Sequence, residues 1–132
     1  MDPNSKTSIN SPEIVCFGEA LIDRLGSLGE DPFVDPLVQD YLGGAPANVA
    51  CGLARLGGEV AFVGKLGDDD IGNKFQNKML QRGINTSCLQ IDTELPSRVV
   101  LVRRDLFGQR FFDGFAGNKG LGFADEFVSS DL

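Results

Sequence analysis

A chain of 132 residues with 42% hydrophobic content can form one modest domain with a buried core. Its formal net charge of −7 sets an acidic surface against nucleic acid and anionic membrane, and the absence of histidine removes imidazole acid–base chemistry. Three widely spaced cysteines, Cys16, Cys51 and Cys88, match no zinc spacing and no disulfide framework, so reduced packing residues and no metal site are expected.

Residues 1–12 are polar, with Asp2 and no arginine, and read as a disordered tail rather than a signal or transit peptide. No apolar run approaches the ~20 residues that span a bilayer, so no membrane contact and a cytoplasmic location are expected. Residues 13–17 form a short apolar run that ends at Gly18, a buried strand that residues 19–23 continue. Residues 25–36, rich in Gly, Asp and Pro, read as loop, and residues 38–42 as a short strand. A helix starts at Pro46, where a missing N–H costs nothing, with Val49, Leu53 and Leu56 as its apolar face and Gly57-Gly58 as its stop.

Residues 60–63 are the next strand. The aspartates of Gly67-Asp68-Asp69-Asp70 then cap a helix whose stripe is Ile71, Phe75 and Met79 and whose end is Gly83. Residues 88–91 are a third strand. Residues 98–103 and 109–115 are two strands joined by a turn at Asp105-Leu106-Phe107-Gly108. Residues 123–132 read as the opening of another helix. Alternating strands and helices imply an α/β fold with a mainly parallel sheet. The pieces near 33–42 and 98–115 break that alternation and are expected to leave the sheet. Three parallel strands and an unfinished last unit read as a fold cut short.

Two places carry candidate chemistry. Gly43-Gly44 lets the chain bend and lets a ligand reach backbone N–H groups, and Asn48 follows in the first turn of the helix with amide donors and an acceptor. The same features fit a tight turn with Asn48 as a cap. Asp23 lies past the expected end of the first strand, where open α/β sheets bind ligands and a carboxylate can accept from vicinal hydroxyls. It equally fits a surface aspartate paired with Arg24. No Walker loop is present, since Gly64-Lys65 is followed by leucine.

Taken together, Asp23, the segment Gly43-Gly44 with Asn48, and the run Val63-Gly64, Gly67-Asp68-Asp69 resemble the N-terminal signature of the PfkB (ribokinase-like) carbohydrate kinases. The variant Gly-Gly-Ala-Pro-Ala-Asn with Glu19 is similar to fructokinases in particular. The resemblance implies a three-layer α/β/α fold, here incomplete, with a small β-sheet lid near 33–42 and 98–115. Residues 13–132 would be the N-terminal part of the kinase domain. It also implies phosphorylation of a sugar such as fructose with ATP and Mg²⁺. Asp23, Gly43, Gly44 and Asn48 would bind the sugar, and a homodimer could form through the lid strands. Family members run more than twice as long and carry a Gly-Ala-Gly-Asp loop with the general base, which would lie beyond Leu132. These residues alone are therefore expected to be inactive. The alternative is a non-catalytic product that acts as a sugar-binding or dimerising module.

Overall fold

The structure, a computed structural model, describes residues 11–118 and 120–131; the expected tail falls outside these except for Ser11 and Pro12. The elements in chain order are β1 (Ile14–Phe17), β2 (Leu21–Leu28), β3 (Gln39–Gly43), α1 (Ala45–Arg55), β4 (Val60–Gly67), α2 (Asp70–Gln81), β5 (Leu89–Asp92), β6 (Arg98–Arg104) and β7 (Arg110–Ala116). A 3₁₀ turn at Ala124–Glu126 follows.

They make two sheets. The first is parallel, in the order β1-β4-β5. Its central strand β4 is buried along nearly its whole length, as a strand covered on both faces must be. Both helices share one core with it, built on Cys16, Ala47, Ala50, Val60, Phe62, Leu66, Phe75 and Met79. The second sheet runs β3-β2-β6-β7, with β2 and β6 parallel and both outer pairs antiparallel. The two segments expected to leave the parallel sheet are strands of this second sheet. At the β6–β7 turn the Asp105 carboxylate accepts from the N–H groups of Phe107 (2.8 Å) and Gln109 (2.9 Å). Among the described residues no helix is long and apolar enough to cross a membrane.

Three expectations are corrected. Residues 19–23 do not continue β1. The chain breaks at Gly18, with φ +145°, and β2 enters the other sheet and runs to Leu28, into the stretch expected to be loop. Leu21, Ile22 and Leu25 are buried there, and Gly26 admits Pro32 against the backbone. The buried face of α1 is Ala47 and Ala50, with Leu53 packed against the same core as expected, whereas Val49 and Leu56 are 53% and 86% exposed. The helix lies close on the sheet, so small residues set its contact face rather than large ones.

The helix expected over 123–132 is only the 3₁₀ turn. Beyond it, side chains of β4 and β5 recruit the backbone groups a helix would need. Lys65 Nζ donates to the Phe127 carbonyl at 3.0 Å, and the Gln90 amide both donates to the Ser129 carbonyl (2.9 Å) and accepts from its N–H (2.8 Å).

Candidate functional site

Asp23 is the third residue of β2 and so belongs to the second sheet, not to the end of β1. The bend at Gly18 puts it there, because Pro46 at the start of α1 packs onto the bare Gly18 Cα, and a Cβ would come within 2.6 Å of the proline ring. In the β2 register Asp23 faces Tyr41 of β3 on one side and Val100 of β6 on the other. Gly43 is the next residue of β3 on the same face as Tyr41, and a Cβ on it would strike the Asp23 carboxylate. The glycine is what lets the carboxylate lie over the strand end. Arg24, the alternative partner, is engaged on the other face by Asp40, at 2.8 Å from both Nε and Nη2.

Gly44 is the N-cap of α1 at φ +95°, a conformation that favours glycine. A Cβ there would also come within 2.6 Å of the Glu19 carbonyl. The double glycine thus presses the helix start onto the Glu19–Ala20 bend. No side chain caps this helix. Its first-turn N–H groups therefore remain donors at the positive end of the helix. Asn48 does not cap. It lies in the first turns of α1, its backbone N–H bonded to the Gly44 carbonyl at 2.9 Å, with its side chain exposed.

A cavity of about 270 Å³ opens on the Asp23 face of the second sheet, lined by Asp23, Leu25, Tyr41, Val102 and Arg110. Leu25 and Val102 are cross-strand partners. Burial pushes the Asp23 carboxyl above its ordinary range, and the positive charge of Arg110 partly offsets this. A half-buried carboxylate with no described cation within bonding distance has acceptor capacity to spare. Sequence reasoning missed Arg110 and Tyr41. No local pattern marks either residue; only strand pairing brings them beside Asp23. A larger groove of about 610 Å³ runs along α2, lined by Leu42, Lys74, Asn77, Lys78, Gln81 and Arg82. It holds none of the candidate residues, and its polar lining is that of a solvated helix face.

Of the aspartates after β4, Asp69 has a structural role. Asp69 caps α2, accepting from the Gly72 N–H at 2.9 Å, and also takes the Ser97 N–H (2.9 Å) and hydroxyl (2.8 Å). The buried Ser97 hydroxyl in turn accepts from the Gly67 N–H at 2.8 Å. This knot ties the end of β4, the start of α2 and the entry to β6. Arg98 next to it is stacked on the rings of Phe115 and Phe123 and held by Asp125 at 2.8 Å. Among the described residues no group of His, Cys, Asp and Glu could hold a metal ion.

Residues 11–121 match the family model described as pfkB family carbohydrate kinase. The chain belongs to this family. Among similar carbohydrate kinases, a probable chloroplastic fructokinase-6 of Arabidopsis thaliana is 39% identical over 103 residues, 77% of this chain and 27% of the relative. The crystal structure of a fructokinase from Xylella fastidiosa superposes with a TM-score of 0.70 at 37% identity, over 85% of this chain and 34% of that one. A fructokinase with bound ATP from the same organism gives 0.67 at 37% identity, over 85% and 31%. The chain therefore spans about a third of the length of the carbohydrate kinases it matches. The α/β architecture with its second, mixed sheet is that of the ribokinase-like fold.

Proposed function

We propose that this chain holds the sugar in a kinase that transfers a phosphoryl group from ATP to a hydroxyl of fructose. The names of its relatives and the ATP bound to one of them support the reaction. The observation that carries the chain's own part is the Asp23 carboxylate, kept half-buried over the bare Cα of Gly43 at one end of a cavity. A carboxylate so placed accepts from vicinal hydroxyls, and a bond of this charged kind contributes about 1.5–3 kcal/mol. The Gly44 turn presents N–H donors at the start of α1, and the Asn48 amide adds a donor pair. The second sheet covers the sugar and keeps water from competing as acceptor.

The described residues do not fit a nucleotide or Mg²⁺ site. They contain no triphosphate loop and no metal cluster, and Asp69 is committed to its cap. The nucleotide, Mg²⁺ and the general base are assigned to no residue of this chain. A cytoplasmic setting is part of the proposal, supported by three free thiols. A second copy docking on β7 is supported by exposed Phe111 and Phe112 on that edge strand. Sedimentation of the chain as a monomer at all concentrations would remove it.

The test of the sugar reading is calorimetric titration of D-fructose into the 132-residue chain. Saturable binding that weakens tenfold or more in Asp23→Ala is expected; equal affinity in the two would sink the assignment. With Mg-ATP and fructose the same chain should release ADP no faster than a protein-free blank. Turnover abolished by Asp69→Asn would put the catalytic centre among these residues instead.

A further inference from the structure

We propose that Arg110 is a second substrate-reading residue, which donates to an oxygen of the sugar from the side of the cavity opposite Asp23. The inference rests on the sugar-binding reading of Asp23 and adds to it the other half of the grip.

The strand order places Arg110 on β7, two strands away from β2, yet both line one cavity. Its side chain must therefore reach back across β6, over Val102, toward Asp23. The β6–β7 register sets Arg110 level with Arg104, whereas Asp23 is level with Val100, so the two side chains reach toward each other along the sheet as well as across it. Other arginines of this sheet are already engaged. Arg24 meets Asp40, Arg98 meets Asp125, Arg103 meets Asp113, and Arg104 donates to the Gly26 carbonyl. Arg110 has no carboxylate within ion-pair distance among the described residues, although its charge is felt at Asp23. The acceptor and the donor thus face each other across open space and do not close on each other.

What fits between them follows from the lining. Asp23 takes hydroxyl protons, Arg110 offers N–H groups in a planar fork, and their charges cancel, which suits a neutral polyol. Leu25 and Val102 give apolar surface to its C–H groups, and the Tyr41 ring lies along the β3 side. An anion would gain from Arg110 but meet repulsion from Asp23.

Tyr41 makes the test direct. It is the only tyrosine in a chain without tryptophan, so intrinsic fluorescence reports this cavity alone. D-Fructose titrated into the wild-type chain should change that fluorescence saturably. Arg110→Gln should move the midpoint up by about tenfold or more, and Arg110→Lys, which keeps charge but loses the fork, should fall between. Arg110 is exposed, so both variants should melt with the wild type. Arg82→Gln, on the α2 groove, should leave the midpoint unchanged. A wild-type midpoint in Arg110→Gln, alongside loss of binding in Asp23→Ala, would show that Arg110 is merely solvated and overturn the inference while sparing the sugar reading. D-Gluconate binding more tightly than fructose would overturn the neutral-ligand assignment. No response from the wild type at any concentration would overturn the sugar reading and this inference with it.

Discussion

Replacing Gly43 with alanine would add one methyl group where the Asp23 carboxylate now lies. The new carbon would also stand 3.1 Å from Asp23 Cγ and 3.4 Å from Leu21 Cδ1. Two relaxations are open. The carboxylate can turn away to a poorer rotamer at about 0.5–1.5 kcal/mol, or β3 can shift at about 1–3 kcal/mol. The first is favoured, because the obstacle is the end of a half-exposed side chain and not backbone. Stability should then fall by only about 1 kcal/mol. Sugar affinity should fall much further, because a misplaced carboxylate forfeits about 1.5–3 kcal/mol, or roughly ten- to hundredfold in Kd. Thermal melts and fructose titrations on the same preparations measure both. A cycle with Asp23→Ala isolates the contact, since Gly43→Ala should cost no further affinity once the carboxylate is gone. Fructose affinity in Gly43→Ala equal to that of the wild type would refute the role given to the Asp23–Gly43 contact.

Asn48→Asp removes the amide donors without disturbing a cap, so fructose binding should weaken with an unchanged melting temperature; a lower melting temperature with intact binding would assign Asn48 to the helix alone. Ser97→Ala should cost about 1–3 kcal/mol in chemical denaturation, because the buried Gly67 N–H loses its acceptor and Asp69 loses a donor; an unchanged midpoint would show that this knot contributes nothing. The Asp23 carboxyl is raised above its ordinary 3.8, so the folded chain holds that proton more tightly than the unfolded chain does. Its stabilising contribution is complete below the unfolded value and disappears as pH rises through the raised folded value. Asp23→Asn should therefore be at least as stable as the wild type at neutral pH, and a clear loss of stability there would contradict the sign. Fructose affinity of the wild type should fall as pH drops through that same window, as the acceptor becomes protonated.

What could be read from the sequence was what depends on neighbours close in the chain. The α2 stripe is an example: Phe75 and Met79 are buried, Asp69 caps and Gly83 follows the end, all within one helix. The turn at Asp105 is another. The face of α1 was legible only at Leu53, because Ala47 and Ala50 are buried by close approach to the sheet while the larger Val49 and Leu56 are left outside. Asp23 and Gly43 were both recognisable as candidates, but their contact was not. It depends on an antiparallel register between β2 and β3, set across the intervening loop. Arg110 required two further pairings, β2 with β6 and β6 with β7. The missing last helix reflects Lys65 and Gln90, which lie far upstream and capture its backbone groups.

The most direct measurement of the central claim is a ¹⁵N–¹H correlation spectrum of the labelled chain, recorded as D-fructose is added. The shifts should concentrate on the amides of Asp23, Gly43, Gly44, Asn48 and Tyr41, with the Arg110 side-chain Nε–H moving among them. The amides of Lys74, Lys78 and Arg82 along the α2 groove should stay in place. Shifts confined to that groove, or absent at Asp23 and Gly43 under saturating sugar, would contradict the placement of the sugar on the second sheet.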